Sequence, residues 1–154
     1  MNPGGFVLDC MIFIQVIASR GPAHQCFQMA LESDDPIYLS AYTLGELQSV
    51  LSRPELRAKL PGLTNERVKA LLHHLSEFAT LVEPVPVQFQ FPPDPKDEPY
   101  LNLAILVRAG HLVTRDKALL RLSDPGNELH SALRRLHRDL IISSPESVLF
   151  SQEK

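Results

Sequence analysis

DPKDEPYLNLAILVRAGHLVTRD, residues 94–116, is the segment around which the other elements of this chain arrange themselves. Acidic residues stand at both ends, and the apolar run between them follows helical spacing on nearly every face. This pattern predicts a mostly buried helix that begins near Asp97 and is terminated at Gly110. Residues 111–114 are partly β-branched and predict a core strand. Asp97 would then lie in the first turn of the helix, and Asp116 would follow the carboxyl end of the strand.

Short apolar runs alternate with helical patterns along the rest of the chain. Because strands that alternate with helices form parallel sheets, the expected fold class is α/β, a three-layer α/β/α arrangement around a roughly five-stranded parallel sheet. The helix after the second strand would be capped by Thr43, and a basic helix would run from Glu128 to Arg138. The other predicted strands are residues 6–8, 37–40, 81–82 and 140–142.

Residues 84–99 contain six prolines and alternate apolar with polar side chains through Val85, Val87, Phe89 and Phe91. Period-two alternation that includes proline is typical of an edge strand or a surface arm, and a stiff connector is the simpler interpretation. An exposed apolar edge of this kind would favour a homodimer formed by strand or arm exchange.

The 154 residues, 44% of them hydrophobic, are expected to form a single domain over residues 1–154, with a loose leader at 1–5 and a C-terminal helix at 145–152. The net charge of −3 is unusual for a protein that coats nucleic acid, but it is compatible with a nuclease whose site contains carboxylates. Cys10 and Cys26 lack metal-ligand spacing. With no signal sequence and no apolar run near the roughly 18 residues of a membrane span, a cytoplasmic location is expected.

Four acidic residues are expected to meet at the carboxyl edge of the sheet. Asp9 and Asp116 follow strands, whereas Glu46 and Asp97 would approach from helices. Taken singly, each aspartate could be a helix N-cap and Glu46 a solvated helix residue. Together, such carboxylates repel one another unless a cation compensates them, and oxygen-only ligands suit Mg²⁺ or Mn²⁺. The matching chemistry is in-line phosphoryl transfer with an activated water.

The chain resembles the PIN domain family, in particular the VapC-like toxins of bacterial toxin–antitoxin pairs. The resemblance covers nearly the whole chain and lies in the order and spacing of its matching segments. These are residues 7–9, 40–47, 94–104, 112–116 and 144–145.

The resemblance implies a PIN-like fold and a metal-dependent endoribonuclease, a phosphodiester hydrolase that an antitoxin protein would inhibit. It assigns the catalytic and metal-ligating roles to Asp9, Glu46, Asp97 and Asp116. Asp94, Asp97 and Glu98 compete for the third acidic position, and Asp97 is chosen for its distance to Leu101 and Ala104. Auxiliary roles fall to Thr114, Glu98 and Asp94. Arg53 and Arg115 are candidate RNA contacts.

The chain departs from this family immediately after the first aspartate. PIN domains usually carry a small polar residue and then Asn there, whereas this chain has Cys10 and Met11. A hydrogen bond that supports the site could therefore be missing, and this keeps open an alternative: a catalytically weak or inactive PIN domain that acts as an RNA-binding regulatory module.

A receiver domain needs paired acids after strand one, and a haloacid-dehalogenase phosphatase needs an aspartate at position 11. Both are excluded.

Overall fold

The computed structural model describes residues 4–152 and contains a five-stranded, wholly parallel sheet in the order β3-β2-β1-β4-β5. The sheet is the middle layer of the predicted α/β/α arrangement. The strands are β1 (Phe6–Leu8), β2 (Ile37–Ser40), β3 (Ala79–Val82), β4 (His111–Val113) and β5 (Ile141–Ser143).

Helices connect the strands and cover the sheet. They are α1 (Cys10–Ala18), α2 (Pro22–Glu32), α3 (Ala41–Leu51), α4 (Pro54–Lys59), α5 (Asn65–Phe78), α6 (Glu98–Val107), α7 (Lys117–Leu120), α8 (His130–Leu136) and α9 (Pro145–Gln152), with 3₁₀ turns at Pro95–Asp97 and Arg121–Ser123. Helix α6 packs against β1, β2 and β4, while α2 packs against α1 and α9. No helix of the described residues is long and apolar enough to cross a membrane.

The strand order places a topological switch point between β1 and β4. From β1 the chain adds β2 and β3 on one side, and then returns to add β4 and β5 on the other. Phe6, Val7 and Leu8 pair in register with His111, Leu112 and Val113. In open parallel sheets the crevice at such a point is where sites form. Here it opens beyond Leu8 and Val113, directly before Asp9 and Thr114.

The predicted helix between Asp97 and Gly110 is confirmed, but its end is different. The helix stops at Val107, and Arg108 adopts the left-handed conformation (φ 53°) that a glycine was expected to provide. Gly110 instead donates its N–H to the Gly5 carbonyl, 3.0 Å away. Gly110 is therefore not the terminator, because it is already part of the approach to β4.

Two other helix starts also differ from the prediction. Ser40, not Thr43, caps α3: the Ser40 hydroxyl accepts from the Thr43 N–H (3.1 Å), and the Thr43 hydroxyl accepts from the Ser40 N–H (2.9 Å). This reciprocal pair is a capping box, which a reading of Thr43 alone misses. The basic helix predicted from Glu128 begins at His130, after a turn.

The proline-rich segment is an arm without strand pairing. Its residues 83–91 belong to no helix or strand, with Phe89 and Phe91 buried in the core and Val87 71% exposed. The homodimer prediction rested on an exposed apolar edge, and burial of Phe89 and Phe91 removes that basis. Because Phe89 is buried, Phe89→Lys is expected to destabilise the protomer itself.

The predicted leader lies partly outside the described residues, which begin at Gly4. Gly4 and Gly5 are not loose: the Gly4 N–H donates to the Arg108 carbonyl, and the Gly5 carbonyl accepts from Gly110 and His111. Gly5 has φ 94°, and a Cβ there would lie 2.5 Å from the Tyr38 ring. Only glycine fits this position.

Candidate metal centre

Asp9 follows β1 and is almost fully buried. Its Oδ1 accepts the Met11 N–H (2.7 Å) and caps α1, while its Oδ2 accepts the Thr114 hydroxyl (2.5 Å). Burial is the main cause that raises the pKa of Asp9, although these hydrogen bonds oppose it. The hydrogen bond at Oδ1 comes from the backbone of Met11, so it does not depend on the side chain by which the chain departs from the usual PIN pattern.

Thr114 connects the ends of β1 and β4. Its buried hydroxyl donates to Asp9 and accepts the Asp116 N–H at 3.0 Å. Asp116 in turn caps α7, because its Oδ1 accepts the N–H groups of Ala118 (2.8 Å) and Leu119 (3.4 Å). One hydroxyl therefore fixes the relative positions of the two strand-end carboxylates.

Asp97 supplies the feature that most strongly indicates a ligand. Its Oδ2 is buried and has no hydrogen-bond partner within the described part of the chain. Burial, followed by the charges of Asp116 and Asp94, raises the pKa of Asp97 to about 8. A buried carboxylate oxygen that lacks a donor and faces other acids is unfavourable unless a proton or a cation compensates it.

Asp94, Asp97 and Asp116 form a cluster that we call the acidic triad. One carboxylate oxygen from each residue lies within 4.8 Å of the other two. Asp97 and Asp116 were predicted ligands, as were Asp9 and Glu46, whereas Asp94 was predicted to be only auxiliary. Among residues 4–152, Asp9 and Glu46 lie outside this closest group, although the charge of Asp9 raises the pKa of Asp97 and the charge of Asp116 raises that of Asp9.

Glu46 projects from α3 and is held by tyrosines that sequence analysis missed. The buried Tyr100 donates its hydroxyl to Glu46 Oε1 (2.5 Å), and the half-exposed Tyr42 interacts with the same carboxylate. Burial and the contact with Glu46 both raise the pKa of Tyr100. Tyr100 lies in the first turn of the predicted helix, and that position beside an otherwise apolar run was the available signal.

The remaining predicted residues have other partners. The Glu98 Oε2 accepts the Phe91 N–H (3.0 Å), so it fastens the arm. Arg115 donates to Gln15 and Glu146, both at 2.7 Å. Arg53 is exposed and directly precedes α4, and its charge acts to lower the pKa of Cys10, against the larger effect of burial. Neither arginine reaches the acidic triad through a hydrogen bond in the described residues.

The residues of the triad fit a hard divalent cation. Every candidate ligand atom is a carboxylate oxygen, which suits Mg²⁺ or Mn²⁺ and is poor for zinc. Burial raises the pKa of Cys10 to about 12 and that of Cys26 to about 11, so both thiols are neutral at physiological pH. Asp97 Oδ2, the oxygen without a donor, is the atom that such a cation would satisfy.

In a comparison with protein families, residues 5–118 match the PIN domain. No curated protein and no solved structure shows a significant match. The matched region runs from the approach to β1 into α7 and contains the acidic triad together with Asp9, Glu46 and Thr114. PIN domains are generally nucleases. Since the match spans well over half of the sequence, the chain belongs to the PIN domain family.

Proposed function

We propose that this PIN domain is an endoribonuclease that depends on Mg²⁺ or Mn²⁺. The observation that carries the proposal is the unpartnered Asp97 Oδ2 inside the acidic triad. A carboxylate cluster at the switch point of a parallel sheet is well placed to hold a cation in the crevice where a ligand binds. Membership of a family of nucleases supports the same conclusion.

Asp94, Asp97 and Asp116 would hold the cation. Asp9 and Glu46 would add further negative charge around it. When bound, it would supply Lewis-acid chemistry, offsetting phosphate charge and making water a better nucleophile at neutral pH. Thr114 orients Asp9 and Asp116, and Tyr100 orients Glu46. Asp97 must lose its proton before its oxygens can ligate, so affinity should increase with pH up to about 8.

The first test is thermal. Mg²⁺ or Mn²⁺ should raise the melting temperature of the wild type by mass action on a site that only the folded state possesses. Asp97→Asn and Asp116→Asn should lose most of this increase, whereas Asp34→Asn, a change at an exposed aspartate outside the site, should retain it. A preference for Zn²⁺ would indicate that thiols or imidazoles, not the carboxylates, bind metal.

The second test concerns the ends of the products. Attack by water in line with the leaving oxygen leaves a 5′-phosphate and a 3′-hydroxyl, and a 2′-deoxy sugar at the cut does not prevent it. Mass spectrometry of a cleaved RNA oligonucleotide reads these ends directly. A 2′,3′-cyclic phosphate, or cleavage that persists in chelator, would overturn the mechanism. Binding of RNA without metal-dependent cleavage would favour the regulatory alternative.

The resemblance to VapC-like toxins supports a finer proposal: the enzyme is the toxin of a cytoplasmic toxin–antitoxin pair, and a small antitoxin protein binds it. The test is genetic. Expression of the wild type should stop bacterial growth, expression of Asp116→Asn should not, and co-expression of a small protein encoded next to the gene should restore growth. Growth unaffected by the active wild-type enzyme would contradict a toxin role while leaving the nuclease proposal intact.

A further inference from the structure

A cavity of about 450 Å³ lies beside Glu46 and the acidic triad, and the proposed cleavage chemistry does not use it. Its walls come from the start of α3, the end of β3, the arm and the start of α6. They include Tyr42, Glu83, Val85, Val87 and Glu98. This volume is within the range of about 300–1,000 Å³ that is usual for small-molecule sites.

Two lining residues connect the cavity with the acidic residues. Tyr42 is part of its wall and also interacts with the carboxylate of Glu46. Pro95 also lines it, and Pro95 lies between Asp94 and Asp97 in the 3₁₀ turn before α6. A nucleic acid whose phosphate lies at the acidic triad would therefore carry its neighbouring nucleotide past the cavity.

The cavity walls suit a base better than a phosphate. Val87 is 71% exposed and Tyr42 is 52% exposed, so apolar and aromatic surface faces the solvent at the opening. Bases of single-stranded RNA stack on such surfaces. Two carboxylates, those of Glu83 and Glu98, would repel a phosphate group.

The polar groups of the cavity are mainly hydrogen-bond acceptors. Asn102 also lines it, but both ends of its amide are engaged by the backbone of the arm and by the Glu98 carbonyl. Glu98 uses Oε2 to accept the Phe91 N–H, and a carboxylate retains further acceptor capacity. Glu83 and Glu98 can therefore accept hydrogen bonds from the amino group of a base, as carboxylates accept from cytosine N4.

We propose that this cavity binds an unstacked base of single-stranded RNA next to the scissile phosphate, and that it favours bases with an exocyclic amino group over uracil. The inference rests on the proposed ribonuclease function and adds to it the part of the substrate that is selected. The acidic triad cuts the backbone, and the cavity determines which nucleotide lies beside the cut.

The experiment compares cleavage positions in a pool of single-stranded RNA oligonucleotides with randomised central positions. Sequencing of the cut ends should show uridine depleted roughly tenfold at a single position beside the cut in the wild type, because hydrogen bonds to base edges discriminate by this order. Val87→Arg should abolish this depletion, because the guanidinium would fill the cavity and pair with its glutamates. Ile141→Arg is the matched control: it adds the same charge at an exposed apolar residue of β5, at the opposite edge of the sheet, and should keep the depletion.

A uniform base distribution in the wild type, or an unchanged depletion in Val87→Arg, would overturn the inference. A second measurement does not depend on cleavage. Fluorescence anisotropy with the Asp116→Asn protein and a labelled RNA 12-mer should show roughly tenfold weaker binding when one particular position is made abasic. Equal binding at every abasic position would also refute a base site. Cleavage by Asp116→Asn at the wild-type rate would instead refute the proposed function.

Discussion

At the scale of single residues, Asp97 is the residue in which stability and the proposed function conflict. Its raised pKa means that the metal-free folded protein holds a proton there well above pH 3.8, the value expected in the unfolded chain. The resulting stabilisation is complete below the unfolded pKa and is lost as pH rises through about 8. Above that pH the free protein holds the charge of Asp97, with no donor at its Oδ2 in the described residues, beside Asp94 and Asp116.

Asp97→Asn should therefore stabilise the metal-free protein at alkaline pH. We expect its melting temperature in chelator to equal that of the wild type near pH 4 and to exceed it by about 2–4 °C above pH 8, as a gain of about 1 kcal/mol implies. Asp34→Asn, far from the triad, should show no such divergence. If Asp97→Asn were less stable at every pH, the carboxylate would be a structural hub rather than a ligand.

Tyr100 acts on a different carboxylate by donating to Glu46 in a partly buried setting. Tyr100→Phe keeps the ring and removes only the hydroxyl, so Glu46 loses its hydrogen-bond donor. We expect the free energy of unfolding to fall by about 1–2 kcal/mol in urea titrations and RNA cleavage to slow about tenfold or more. Tyr42→Phe, on the more exposed side of Glu46, should have a smaller effect on stability. Equal, negligible effects of both changes on stability and cleavage would mean that the tyrosines do not position Glu46.

At the scale of elements, one side chain of α6 holds the arm. The Asn102 Oδ1 accepts the N–H groups of Gln88 (2.7 Å) and Phe89 (2.9 Å), and its Nδ2 donates to the carbonyls of Phe89 and Glu98, both at 3.0 Å. A buried amide thus replaces the strand partner that the arm lacks. The sequence contained the signal, because Asn102 is the one polar residue in the otherwise apolar stretch 101–107.

Asn102→Ala should loosen the arm without unfolding the sheet. It leaves backbone groups of Gln88 and Phe89 without partners, and we expect a loss of about 2–3 kcal/mol in the free energy of unfolding. Hydrogen exchange should show faster exchange at the amides of residues 88 and 89, while the amides of β1 and β4 stay protected. Ser76→Ala, which removes a hydroxyl bond on the surface of α5, is the control. Loss of protection in β1 and β4 as well would show that the arm is not a separable unit.

At the scale of the whole molecule, the fold could be predicted because its local signals agree. Apolar runs such as residues 6–8 and 111–113 are buried strands, and the acids that follow them lie at the carboxyl edge because every strand is parallel. What could not be predicted was decided by tertiary contacts. The choice among Asp94, Asp97 and Glu98 depends on how the turn before α6 is oriented. The buried position of Phe89 goes with its hydrogen bonds to Asn102, 13 residues further along the chain.

Another tertiary contact joins α8 to the connection between α6 and β4. His137 is fully buried, and its Nε2 lies 2.5 Å from the Ala109 carbonyl, whereas its Nδ1 has no partner among the described residues. Burial lowers the pKa of His137, and the charges of Arg108 and Arg134 act in the same direction, against the Ala109 hydrogen bond and the charge of Asp139. Folding therefore favours the neutral form of the ring.

Acid should thus weaken the whole fold through His137. Because its pKa is lowered on folding, its contribution is present above the unfolded value of 6.5 and is lost as pH falls through the folded pKa. A single proton of this kind gives a slope of at most about 1.4 kcal/mol per pH unit. His137→Gln, which retains a donor for Ala109, should flatten the decline in unfolding free energy between pH 6.5 and 5, measured by urea titration at each pH.

His73→Gln, at an exposed histidine paired with Glu77, should leave the slope unchanged. If His137→Gln declined as steeply as the wild type, the acid sensitivity would arise elsewhere, with His111 the first residue to test, since burial lowers its pKa too.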